Sequence, residues 1–356
     1  MIISSDNAAL IYCGRIDFTK KEAPVFIYPY SSITMIFTGK SISIRVRNHH
    51  VCWENNLGYV IDGVQGRVRL PESSEEVTLV LEDDLPEGEH ELFLFKRQDA
   101  CHYFEFLGFV VEDGAQVKAA SPLPERRIEV YGDSVSAGEV SEALEYAGKQ
   151  DPVHNGQYSN VYFSYAAYTA RMLNAQLHDI AQGGIALLDG KGYFAPDFGY
   201  LGMESRYDKL KYNPELGEVT AWDSSLYTPH VVIVAIGQND SFPEDYMKAD
   251  DSCEKAVLWR EAYERLLRRL RSQYSNALII ASTTILEHDV RWDRSIEAVC
   301  NQINDKKIVH FLYSNNGCGT PGHIRKPEAE KMAEELSAFI ESYGESIWND
   351  ESGKQA

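Results

Sequence analysis

The sequence predicts two folds in series: an all-β antiparallel sandwich, then an α/β domain built on a parallel sheet. Up to about residue 112 the apolar residues follow the two-residue period of strands, with no helical stretch between runs. From residue 128 onward, apolar strand-like runs alternate with amphipathic helical stripes. At 356 residues the chain is also longer than a single core usually supports.

The first half supplies seven strand candidates: SITMIFTG, SISIRVRN, LGYVIDG, GRVRL, EVTLVLEDD, EHELFLFKR and HYFEFLGFVVEDG. They are short, rich in β-branched and aromatic residues, and separated by Gly, Asn, Asp or Pro. In Ser41 to Val46 serine and arginine alternate with Ile42, Ile44 and Val46, which assigns one face to a core and the other to water. Closely spaced strands of this kind predict a sandwich of the jelly-roll type over residues 1–118. VKAASPLPERR then breaks the pattern, and residues 119–127 read as a linker.

Residues 128–356 form the second unit. Its strand candidates are RIEVYG, AQLHDIA, HVVIVAIG, ALIIASTTI and KIVHFLY. Between and after them lie helices with apolar stripes at Trp259, Tyr263, Leu266, Leu267 and Leu270, and at Ala329, Met332, Ala333, Leu336, Phe339, Ile340 and Tyr343. Strands alternating with helices imply a parallel sheet covered on both faces, with its ligand beyond the carboxyl ends of the strands.

A formal net charge of −20 disfavours nucleic acid and anionic membrane surfaces and suits a neutral substrate such as a sugar. The six cysteines are scattered without a C-x-x-C pair, so neither metal-site spacing nor a disulfide framework is expected. The N-terminal residues lack the pattern of a signal peptide, and the expectation is a cytoplasmic protein unless a leader has been removed. No nucleotide-binding or zinc-protease motif is present, and no cofactor is expected. A homo-oligomer is compatible with the sequence, which does not fix the state of assembly.

At the predicted strand ends stand Gly132, Asp133 and Ser134, then Gly183 and Gly184, then Gly237, Asn239 and Asp240. Singly, each suits a turn or a cap. Together they offer acyl-transfer chemistry: Ser134 as nucleophile, and the Ser134 N–H, a Gly183 or Gly184 N–H and the Asn239 amide as oxyanion donors. Asp133 and Asp240 read as turn braces. Of the ten histidines, His154 and His288 are loop candidates for the base, and His323 is favoured by its place on a Gly/Pro-rich loop between the last strand and the final helix. In the long loop after Gly184, Tyr193, Phe194, Tyr200 and Tyr207, with Trp222 or Trp292, are candidates for a sugar-stacking wall.

YGDSVSAGE, the glycine pair, GQND and a histidine before the last helix resemble the four blocks of the SGNH (GDS-type) hydrolases. YCGRIDF, FTGKSISIRVRN, YVIDG, EGEHELFLFKR and FLGF further resemble the jelly-roll domain of carbohydrate esterase family 2, the acetyl-xylan esterases. The resemblance spans nearly the whole chain. It implies a three-layer α/β/α SGNH domain and hydrolysis of acetyl esters on xylan, xylo-oligosaccharides or a related glycan. It assigns Ser134 as nucleophile, His323 as base, and Gly183 (or Gly184) and Asn239 as oxyanion donors. The superfamily's D-x-x-H aspartate is replaced by Thr320. Family 2 includes Ser-His dyads oriented by a main-chain carbonyl, so the Thr320 carbonyl is the expected partner of the ring. Two alternatives stay open: a GDS-type lipase or thioesterase acting on other acyl esters, and a catalytically inactive carbohydrate-binding protein.

Overall fold

A computed structural model describes residues 1–193, 201–211 and 218–350. The seven predicted runs are the strands Ser32–Thr38, Ile42–His49, Asn56–Ile61, Val64–Arg69, Glu76–Glu82, Glu89–Lys96 and Tyr103–Val111. With shorter strands they form two six-stranded antiparallel sheets packed face to face. Ile42, Ile44, Val46 and Asn48 are buried while the residues between them are not, the alternation that a half-buried strand requires. Their apolar side chains meet Ile33, Met35, Phe37, Leu92, Leu94, Phe104 and Phe106 in one dry core. Val117–Lys118 still pairs with Ser32–Thr38, and the next strand begins at Arg126, so the connection is residues 119–125.

The second unit is a five-stranded parallel sheet. Its spatial order is Ala175–Ala181, Arg126–Gly132, Val231–Ala235, Leu278–Ser282 and Ile308–His310. The chain thus starts in the second position and reverses direction between Arg126–Gly132 and Val231–Ala235, the switch point where open α/β sheets bind ligands. Helices Tyr165–Met172 and Lys326–Glu341 cover one face, Glu254–Gln273 and Val290–Ile303 the other. The stripe Trp259, Tyr263, Leu266, Leu267 and Leu270 is fully buried against the sheet. Among the described residues no helix is long and apolar enough to cross a membrane.

Register decides where the chemistry can happen. Gly132 lies level with Ala181 on one side and Ala235 on the other. Ser134, Gly183 and Asn239 therefore leave the sheet two to four residues beyond a common line. The sandwich packs against this sheet through Arg15, whose guanidinium pairs with Glu129 at 3.1 Å and donates to Tyr131 Oη at 2.8 Å, all fully buried. At the carboxyl edge Ala100 N–H donates to Ala181 O, and Val161 N–H to Arg97 O.

Candidate active site

Gly132 ends the central strand because nothing larger fits: a Cβ there would sit 2.0 Å from Ser136 Oγ, which is held by Tyr165 Oη at 2.8 Å. The chain then coils tightly, with Ala137 N–H on Asp133 O and Glu139 N–H on Ser134 O at 2.9 Å. Asp133 is the internal brace of this turn. It accepts from Val135 N–H at 3.0 Å, Gln238 Nε2 at 2.7 Å and Asn239 Nδ2 at 3.1 Å. Burial pushes its carboxyl up to about 6 against those hydrogen bonds. Asp240 braces the neighbouring turn in the same way, accepting from the N–H groups of Leu187 and Leu188.

The coil presents Ser134 at the floor of a cleft of about 680 Å³, lined also by Trp53, Asp99, Glu139, Asp151, Gly183, Gly184, Tyr193, Asn239 and His323. His323 and Ser134, separated by most of the second domain in sequence, face the same space. The imidazole is fixed from its far side: Nδ1 lies 2.5 Å from Asp151 Oδ2. Asp151 Oδ1 accepts from His323 N–H at 2.9 Å and from Arg325 Nη2 at 2.7 Å. The fully buried Arg325 guanidinium also donates to the carbonyls of Ala143 and His323. Gly322 makes room for this clamp, since a Cβ there would meet Lys149 O at 2.5 Å and Asp151 Oδ1 at 2.8 Å.

A carboxylate acceptor at Nδ1 fixes the tautomer with its proton there, which leaves Nε2 a free base. Burial raises Asp151, but the hydrogen bond and charge of His323, followed by those of Arg325, hold it well below the usual carboxylate range. Burial pushes His323 down, but the charges of Glu139, Asp151 and Asp133 and the Asp151 hydrogen bond raise it above its ordinary value. This corrects the expected orienting group. The Thr320 carbonyl accepts from Glu287 N–H at 2.9 Å in a short parallel bridge with Leu286 and does not orient the ring. The carboxylate that the superfamily places three residues before the histidine comes instead from a loop 172 residues upstream.

Of the expected oxyanion donors, the Ser134 N–H has no acceptor among the described residues, and neither has that of Gly184. The Gly183 N–H donates to Asp99 Oδ2 at 2.7 Å. The Asn239 amide faces the cleft floor, held by Ile185 O at 2.9 Å and by Asp133.

The expected aromatic wall needs correction too. Trp292 is fully buried between Tyr246 and Trp259, with its Nε1 on Asp245, because it belongs to the core stripe of its helix. Trp222 packs beside Arg15 and the mid-strand His178, away from the cleft. Tyr207 lies against the core near Arg269. Phe194 and Tyr200 fall outside the described residues. Tyr193 does line the cleft, stacked on Phe242 with centroids 4.2 Å apart. Trp53, 42% exposed on a sandwich loop with its ring centroid 5.4 Å from that of His154, also lines the cleft. Sequence reasoning missed Asp151, Trp53, Asp99 and Glu139. No fixed spacing links any of them to His323, and Glu139 alone stood inside a recognised block.

Residues 12–122 match the family described as carbohydrate esterase 2 N-terminal. A cellulase/esterase of Acetivibrio thermocellus is 30% identical over 351 residues, covering 95% of this chain; the chain spans 40% of that protein's length. An acetylxylan esterase and glucomannan deacetylase of Cellvibrio japonicus is 24% identical, over 94% of this chain and 89% of its own. A family two carbohydrate esterase from Clostridium thermocellum, solved with cellohexaose, superposes with a TM-score of 0.76 at 28% identity, covering 96% of this chain and 100% of that one. In its sandwich domain the chain matches the carbohydrate esterase 2 N-terminal family, and along nearly its whole length it is similar to family two carbohydrate esterases that share its fold.

Proposed function

We propose that the protein removes acetyl groups from neutral glycans of the xylan class through an acetyl-enzyme on Ser134. The observation that carries this is His323: tied to Asp151 at Nδ1, with Nε2 directed into the cleft floored by Ser134. His323 Nε2 takes the Ser134 proton as Oγ attacks the acetyl carbonyl. The oxyanion forms against the Ser134 N–H, with a glycine N–H from Gly184 or Gly183 and the Asn239 amide beside it. For Gly183 this requires Asp99 to release the N–H, and for Asn239 one of the two Nδ2 hydrogens must leave Ile185 O or Asp133. The imidazolium then protonates the departing sugar oxygen, breaking the ester bond. Water, deprotonated by the same Nε2, attacks the acetyl-Ser134 carbonyl, and the serine leaves with the proton as acetate is freed.

The Cellvibrio japonicus relative acts on acetylxylan and glucomannan, and the Clostridium thermocellum relative binds cellohexaose. Both support a β-linked glycan here, as do Trp53 and Tyr193 at the cleft walls. The test is acetate release from acetylated xylo-oligosaccharides beside aryl esters of increasing acyl length. Ser134→Ala is expected to abolish release while oligosaccharide binding persists. Wild-type turnover in that variant, or a rate that climbs with acyl length, would overturn the assignment.

A further inference from the structure

Glu139 has no role in the chemistry above, yet it stands over it. Its Oε2 is 3.9 Å from His323 Nε2, the atom that hands a proton to the leaving oxygen. Its backbone N–H is bonded to the Ser134 carbonyl, which fixes the side chain relative to the nucleophile. The residue is 9% exposed, and its carboxyl oxygens make no hydrogen bond to any described residue. Asp99, its neighbour over Gly183, differs: its two oxygens accept from Gly183 N–H and Cys101 N–H. With no protein donor, the Glu139 carboxyl is open only toward the cleft it lines, and a bound molecule that displaces solvent there must bring a donor of its own.

The geometry specifies that donor. The leaving oxygen must come within hydrogen-bond reach of Nε2. With Glu139 Oε2 only 3.9 Å from Nε2, a hydroxyl on the adjoining or next carbon of the sugar is close enough to reach it. An ammonium group in the same place would be repelled by the imidazolium that forms as the ester breaks; a hydroxyl would not.

Resting on the esterase reading, we propose that Glu139 is a specificity residue that accepts a hydrogen bond from a free hydroxyl close to the scissile ester. The preferred substrate is then a partially acetylated neutral sugar, and fully acetylated sugars or simple esters are poorer.

The experiment compares kcat/KM for a monoacetylated methyl xyloside, the same glycoside fully acetylated, and an aryl acetate, in wild type and in Glu139→Gln. The monoacetyl-to-aryl ratio should fall about 10- to 100-fold in the variant, the worth of one charge-assisted hydrogen bond. Preference for the monoacetylated over the fully acetylated glycoside should shrink with it. Ratios that do not move would overturn the proposal while leaving the esterase intact. A wild type that hydrolyses none of the three esters would remove the esterase reading and this inference together.

Discussion

Asp151→Asn separates an orienting carboxylate from an incidental one. In the wild type, Oδ1 accepts from His323 N–H at 2.9 Å and Arg325 Nη2 at 2.7 Å, and Oδ2 accepts a hydrogen bond from Nδ1–H. Asparagine has one acceptor oxygen, and two fixed donors demand it at the Oδ1 position. Its NH₂ group must then face Nδ1, which becomes an acceptor and moves the ring proton to Nε2. An imidazole protonated there cannot relieve Ser134 of its proton. The charge is lost as well. Opposite charges about 4 Å apart at an effective dielectric of about 20 interact by about 4 kcal/mol, which is about three decades in rate if felt only by the imidazolium of the transition state. With the wrong tautomer added, kcat is expected to fall about 10³- to 10⁴-fold. The acid limb of kcat/KM, which reports the raised His323, should move to lower pH as one of its stabilising charges goes. Acetate release across pH 4–9 measures both, with thermal unfolding as the control for folding. A folded Asp151→Asn enzyme within tenfold of wild type would show that the carboxylate does not set the tautomer.

Three further outcomes are expected. Trp53→Ala, removing an exposed indole from the cleft wall, should raise KM for acetylated oligosaccharides by about 3- to 10-fold, the value of one aromatic contact; an unchanged KM would remove Trp53 from the sugar path. Arg15→Met strands the fully buried Glu129 and should cost about 3–5 kcal/mol in denaturant unfolding, much of it recovered by adding Glu129→Leu; additive losses would contradict the ion-pair account. Glu139, pushed to about 7 by burial and by Asp99, Asp151 and Asp133 against the His323 charge, binds its proton more tightly folded than unfolded. Its contribution is therefore complete below an unfolded pKa of about 4.3 and fades as pH rises through about 7. Glu139→Gln should gain stability over wild type across that window, and a constant difference from pH 4 to 8 would contradict the burial argument.

The sandwich strands and the parallel sheet were legible because both are repeated local patterns. Ile42, Ile44 and Val46 carry a period of two, and Trp259, Tyr263, Leu266 and Leu270 a helical one. Ser134, Gly183, Asn239 and His323 were legible for a different reason: strand ends in one parallel sheet share an edge, so chain order alone gathers them. Asp151 was not legible, since its loop reaches His323 only through the clamp with Arg325 and Gly322, a contact that no period encodes. Trp292 misled because an aromatic reads the same whether its helix turns it inward or outward. Its place on the apolar stripe with Ile296 and Val299 is what buries it.

The sandwich is part of the unit that builds the cleft. Two of its loops, around Trp53 and Asp99, form one wall of the cleft and are locked to each other and to the sheet. Gln98 Nε2 donates to Glu54 O at 2.7 Å, Asn56 N–H to Gln98 Oε1 at 2.6 Å, and Glu54 N–H to Asn155 O at 3.0 Å. Lys96, buried and pushed down to about 8 by that burial, caps the second loop through the carbonyls of Gln98 and Asp99. An ammonium in that position is worth its desolvation only if it fixes something, and what it fixes is the backbone from which Asp99 reaches Gly183. The proposed nucleophile and base, Ser134 and His323, come from the α/β domain, but Asp99, which holds the Gly183 N–H, comes from the sandwich. The apolar clusters on the two faces of the sheet likewise take Tyr28 and Tyr103, and Tyr30 and Phe95, from the sandwich, so the cleft and the packing beneath it both need the two domains together.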